Sequence, residues 1–197
     1  MILGLIERAI DVLNRRTRCR PTVQAALIGL LGAGLAAPAA AAVVDAQPSG
    51  FEVQETAQIA APPEQVYAAI GEVGRWWMSQ HTYSGDAKNL TLDLHVGGCF
   101  CERLPDGGAT GHMVVDMVQP NRLVRLAGAL GPLAGTGGAG HMAIHLAPKD
   151  GGTALDLTYD FGGYAKGGMA RWAAPVDEVL GAQAARLKRY VETGKPD

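Results

Sequence analysis

Residues Met169–Val191 read MARWAAPVDEVLGAQAARLKRYV. Met169, Trp172, Ala173, Val176, Val179, Leu180, Ala184, Leu187, Tyr190 and Val191 recur at steps of three and four, the spacing of one helical face. Asp177 and Glu178 sit early and Lys188 and Arg189 late, which complements the helix dipole, and Gly194 marks the end. Pro175 marks either the start of the main helix or a kink in it. So long an apolar face needs a sheet to bury it. The natural solution is a curved antiparallel sheet wrapped around the helix, with a cavity between them. The expected fold class is therefore α+β.

The segments upstream supply that sheet. FEVQETAQIA (Phe51–Ala60) sets Phe51, Val53 and Glu55 on one face against Glu52, Gln54 and Thr56, the alternation of a strand. A short helix follows, with Pro63 at its start, Glu64 in its first turn, and Val66, Tyr67 and Ile70 as its apolar face. Gly71 and Gly74 break it, and Trp76-Trp77 opens a second helical piece. HTYSGDAKN (His81–Asn89) is a loop. LTLDLHV (Leu90–Val96) reads as a strand with Leu90, Leu92, Leu94 and Val96 on one face. CFCERL, HMVVDMV, RLVRLAG, HMAIHLAP and TALDLTYDF read as further strands, the last two joined as a hairpin across KDGG. The predicted order is one strand, two helical pieces, about six strands and one long helix.

The N-terminus is of another kind. RRTRCR (Arg15–Arg20) precedes the apolar Val23–Val44, which ends in small residues. That layout is a secretory signal. Its core is short for a membrane span, which needs roughly 20 apolar residues. Residues 1–46 are read as a signal peptide or an uncleaved N-terminal anchor, with cleavage near Ala40/Ala42 or at Val44–Ala46. Residues 47–197 form the domain. The expected location is periplasmic or secreted, with transient membrane association through the signal or anchor. The long segment MILGLIERAIDVLN ahead of the basic run is atypical for a signal.

Bulk composition excludes some classes. A net charge of -2 on 197 residues offers no basic stripe for nucleic acid. Mean hydropathy is +0.07, much of it from Val23–Val44. No phosphate-loop signature occurs. GTGGAG (Gly135–Gly140) matches the dinucleotide pattern, but a strand-like segment follows it where a helix is required. His141 and His145 in HMAIH would share a strand face roughly 13 Å apart, turned to solvent, with Met142, Ile144 and Leu146 in the core. Of the three cysteines, Cys19 would leave with the signal. Cys99 and Cys101 do not make a disulfide scaffold, and a bridge between alternate strand residues is expected to be strained.

GGCFCERLPDGGATGH (Gly97–His112) carries the most chemistry. It reads as a hairpin turning at PDGG. Either Glu102 lies across from His112, with Phe100 opposite Val114, or a one-residue shift puts Cys101 there instead. Three uses compete. A zinc site would draw on His81, His112, Glu102 and one cysteine, although C-x-C is a weak signature. Glu102 and His112 can form a polar anchor or acid–base pair in an apolar cavity. Or the pair is an ordinary cross-strand contact, with small buried cysteines packing behind it. No metal or cofactor is expected. Trp76 and Trp77 serve equally well as pocket wall or core, and Trp172 fits core.

IAAPPEQVYAAI (Ile59–Ile70), VGRWW (Val73–Trp77), the GGCFCE strand and the final helix together resemble the START-like, helix-grip (SRPBCC) superfamily, which includes Bet v 1 and polyketide cyclases. Within it, the chain resembles bacterial proteins related to the C-terminal domain of the Hsp90 ATPase activator. The likeness spans Phe51 to Thr193. The resemblance implies a deep apolar cavity between sheet and helix. It implies a small apolar ligand, lipid- or polyketide-like, and in some members cyclisation or dehydration. It implies no shared catalytic residue. On this reading the chain is more a ligand-binding protein than an enzyme; it is not an ATPase, since that label describes the relative's partner, and export away from Hsp90 and ATP argues against a chaperone role. His81, Tyr83, Glu102 and His112 would supply a polar handle; Trp76, Trp77, Tyr159 and Trp172 would supply walls. The alternative is a cyclase-, dehydratase- or hydrolase-like enzyme with Glu102 and His112 as its acid–base pair. A third use is a protein–protein adaptor on the outer sheet face.

Overall fold

The computed structural model describes residues 41–197. Most of the segment read as a signal or anchor, residues 1–40, lies outside the described residues. The strands are β1 (Ala41–Gln47), β2 (Gly50–Ile59), β3 (Leu90–Leu92), β4 (Cys99–Arg103), β5 (Ala109–Gln119), β6 (Leu123–Gly128), β7 (Gly137–Lys149) and β8 (Gly152–Tyr164). The helices are α1 (Pro63–Gly71), α2 (Val73–Trp76) and α3 (Ala173–Thr193). All neighbouring strands are antiparallel, in the order β1-β2-β8-β7-β6-β5-β4-β3. This is the helix-grip arrangement, α+β, with α3 packed on the β2 side of the sheet. Among the described residues, no helix is long and apolar enough to cross a membrane.

The inner face follows the alternation. Phe51, Val53, Ile59, Leu155, Tyr159, Phe161, Met142 and Ile144 are buried against Leu180, Ala184 and Leu187 of α3. Each fully buried large apolar side chain contributes about 1.5–3 kcal/mol. α3 begins at Ala173, so Pro175 falls in the first turn, where its missing N–H breaks no helical bond. It ends at Gly194, whose left-handed backbone (φ 77°) lets its N–H reach the Tyr190 carbonyl. His141 and His145 are exposed on β7. GTGGAG runs into β7, and the Phe161 ring occupies the space that side chains at Gly138 and Gly140 would need. Those glycines serve close packing.

Three expectations change. β3 stops at Leu92 instead of running to Val96, because the chain folds back at Gly98. A Cβ there would lie 2.0 Å from the Asp93 carbonyl oxygen. Leu94 is thus half-buried and Val96 is exposed. Second, an additional edge strand, β1, precedes β2 and overlaps the end of the 1–46 segment. Third, Cys99 and Cys101 are disulfide-bonded, with Cα atoms 5.3 Å apart. Alternate residues of a regular strand stand about 6.6 Å apart, too far for an easy bridge. The register shift between Phe100 and Cys101 marks a β-bulge in the neighbouring strand β5.

Candidate functional site

That bulge also decides where His112 goes. Phe100 pairs with Met113 and Cys101 with Gly111, so His112 is the extra, unpaired residue of β5. Neither register read from the sequence is the observed one. A bulge breaks the strict alternation and re-aims a side chain. Here it turns His112 to the inner face beside Phe100, with ring centroids 5.1 Å apart. The bulged carbonyl does not go unpaired, since it accepts from the Ala129 N–H.

Glu102 lies two residues beyond Phe100 on the same face and is 1% exposed. Its carboxylate accepts the backbone N–H of Tyr83 at 3.1 Å and of Ser84 at 2.5 Å. His112 Nε2 stands 3.1 Å from its Oε2. Burial pushes the carboxyl up, but the bonds from Ser84, Tyr83 and His112 outweigh it and hold it below its usual value. The ionised carboxylate can only accept, so Nε2 carries the proton and donates. Nδ1 has no hydrogen-bond partner among the described residues. Tyr83 stacks on the other side of the imidazole, 5.8 Å away and within 2° of parallel.

His112 faces a cavity of about 400 Å³. Its walls are Trp77 and Phe100 on one side and Val176, Val179 and Leu180 of α3 on the other. Leu130, Pro132 and Leu133, from the loop between β6 and β7, close the end. The cavity therefore lies between sheet and C-terminal helix and is mainly apolar, with polar groups gathered at the His112 rim. Of the residues singled out in the sequence, Trp77, His81, Tyr83, His112 and Trp172 line it. Glu102 stands behind His112 and does not line it. Trp76 lies in the core, where its indole donates to the Ala69 carbonyl. Tyr159 is fully buried in β8, and its hydroxyl bonds the Gly128 carbonyl and the Leu130 N–H, fixing the loop that closes the cavity.

Residues 50–192 match the family described as polyketide cyclase/dehydrase and lipid transport. The chain belongs to that family. No curated protein matches it. Among solved structures, the conserved protein EF2215 of Enterococcus faecalis is similar at 14% identity and TM-score 0.53, over 79% of this chain and 78% of that one. CalU16 of Micromonospora echinospora is similar at 15% identity and TM-score 0.53, over 81% and 86%. An Aha1 dimer from Colwellia psychrerythraea overlaps at 21% identity and TM-score 0.49, over 73% and 98%. At these identities the likeness is one of fold.

For this polyketide cyclase/dehydrase family member, a ligand-binding or cyclase role follows from the family. Among the described residues, no three of His, Cys, Asp and Glu converge as a metal-binding set, and Cys99 and Cys101 are bonded to each other. One unusual group escaped the sequence reading. Glu55 of β2 is fully buried under α3, and neither carboxyl oxygen meets an N–H or hydroxyl donor. Burial, then the charge of the nearby Asp177 carboxylate and a hydrogen bond shared with it, push the Glu55 pKa up to about 7. Gly181 makes the room, since a Cβ there would stand 3.2 Å from the Glu55 carboxylate. The signal was present in the alternation, which puts Glu55 on the face of Phe51 and Val53. Only its partner, Asp177, was out of reach of pattern.

Proposed function

We propose that the cavity binds a small apolar ligand bearing one polar or acidic group, which it presents to His112. The observation that carries this is an apolar cavity of about 400 Å³ with one imidazole held in its wall by a buried carboxylate. Ligand sites are mostly apolar clefts with a few well-placed polar groups, and this cavity lies at the low end of their usual size range. Tyr83 and His81 stand at the same rim, and Trp77 and Trp172 make flat walls. The signal-like layout of residues 1–46 supports export, with the ligand met outside the cytoplasm.

The test uses two fluorescent probes of similar shape, anilinonaphthalene sulfonate and the uncharged N-phenylnaphthylamine. Saturable binding of both at one site is the expected result. His112→Ala should weaken the sulfonate probe more than the neutral one. If neither probe saturates with the folded protein, the proposal is wrong.

A specific observation favours an enzymatic second reading. Glu102 accepts from His112 Nε2, which leaves Nδ1 without a hydrogen-bond partner among the described residues, on a cavity-lining side chain. His112 would then be the proton acceptor, with Glu102 as its positioning residue. Turnover of a cyclisable or dehydratable substrate, abolished in His112→Ala, would establish it.

A further inference from the structure

The Cys99–Cys101 bridge closes a loop of three residues, so it ties no distant elements together and adds little by restricting the unfolded chain. Its position is more telling. The two cysteines flank Phe100, a wall of the cavity. The irregularity between Phe100 and Cys101 is the one that leaves His112 unpaired on β5. Glu102, which holds His112, follows Cys101 directly. The bridge keeps the two Cα atoms about 1 Å closer than regular strand spacing. On the opposite face from the cavity, Gly111 sits across from it, and even a Cβ there would only reach ordinary contact with both sulfurs at 3.9 Å. Cys99 and Cys101 are half-buried and Gly111 is exposed, so an external thiol can approach from that side.

We propose that Cys99–Cys101 is a thiol-exchange site for an external dithiol reductant, and that its redox state sets how the bulge presents His112 to the cavity. One thiolate of the reductant attacks a cysteine sulfur. The S–S bond breaks, the other cysteine leaves as a thiolate and takes a proton, and a mixed disulfide forms. The reductant's second thiolate then attacks its own sulfur in that mixed disulfide and releases the second cysteine. The reductant ends as a disulfide, and two electrons and two protons have passed to Cys99 and Cys101. Without the bridge, β4 is free to return to regular spacing at Phe100. The ring that packs on His112 and the carboxylate that holds it then shift together.

The effect on ligand binding rests on the cavity being a binding site; the redox chemistry and the movement of His112 do not. The full chain is equilibrated in dithiothreitol buffers of graded reducing strength. Free thiols are trapped with a maleimide and assigned by peptide mass, which separates them from Cys19. The His112 imidazole is followed by NMR, and N-phenylnaphthylamine affinity is measured in both forms. The expected result is joint labelling of Cys99 and Cys101 while the protein stays folded, with a displaced His112 signal. Probe affinity should change by about fivefold or more. Cys99→Ser/Cys101→Ser should match the reduced protein and ignore dithiothreitol. A bridge that yields only on unfolding, or a His112 signal indifferent to reduction, overturns the inference. Failure of either form to bind the probe overturns the binding reading alone.

Discussion

Two glutamates of this fold are almost wholly buried on the inner face of the sheet, yet they live in opposite circumstances. Glu102 meets two backbone N–H groups and an imidazole, and its carboxyl is held below the usual range. Glu55 meets no N–H donor, only the Asp177 carboxyl, and is pushed up to about 7. Burial raises both; what differs is the supply of hydrogen bonds. Burial alone therefore says little about a charge. Glu102 organises the cavity rim by holding the Tyr83–Ser84 loop and His112 in place. Glu55 is a tolerated cost beneath α3, whose first half forms the opposite cavity wall.

Removing the satisfied carboxylate is the harshest way to break this contrast. Glu102→Ala strands two loop N–H groups and the His112 donor. It should destabilise the protein by about 3–5 kcal/mol, read by urea denaturation. Probe binding should fall along with it, since His112 loses its hold. The unsatisfied glutamate should behave in the reverse sense. Glu55→Gln removes a buried charge whose only polar neighbour is another carboxyl, and at pH 8 it should stabilise the protein by about 2 kcal/mol.

The pH profile sharpens the contrast without any mutation. Glu55 binds its proton more tightly folded than unfolded, so its contribution is complete below its ordinary value of 4.5 and is lost as pH rises toward 7. Glu102 binds its proton less tightly when folded. Its contribution is present above 4.5 and is lost as pH falls below that value through the lowered one. Stability measured by chemical denaturation should therefore peak near pH 4.5–5 and decline on both sides. Glu55→Gln should flatten the alkaline decline and leave the acid one.

The scaffold around these groups was largely legible. Period-2 and period-3.6 patterns placed β2, β4 to β8 and α3, because one-sided burial writes itself into the order of residues. The hairpin spacing brought Glu102 and His112 to the same neighbourhood, but neither register it offered is the one that joins them. What pattern missed is what breaks pattern. The bulge at His112 inserts one residue into β5, and no alternation signals that. β1 is an edge strand whose described side chains are exposed, so its AAVVDAQ carries no inward face to read. The cavity's closing loop, Leu130–Leu133, depends on a tertiary contact with Tyr159, more than twenty residues further on.

That contact supplies the mildest test. Tyr159 is as buried as the two glutamates, but it sits between them in how well it is served. Its hydroxyl donates to the Gly128 carbonyl at 3.4 Å and accepts from Leu130 at 3.3 Å, both long. Burial raises its pKa far enough that it stays neutral throughout the folded pH range. Neutral long bonds are worth less than charge-assisted short ones. Tyr159→Phe should therefore cost about 1 kcal/mol in urea denaturation, with no change in the pH profile. The ring keeps its packing against Phe51 and Phe161, so the core stays filled. The Gly128–Leu130 segment loses its tie, and because Leu130 closes the cavity, probe release should quicken. A loss as large as that of Glu102→Ala would mean that hydrogen-bond supply does not rank these buried groups, and the comparison between the two glutamates would lose its basis.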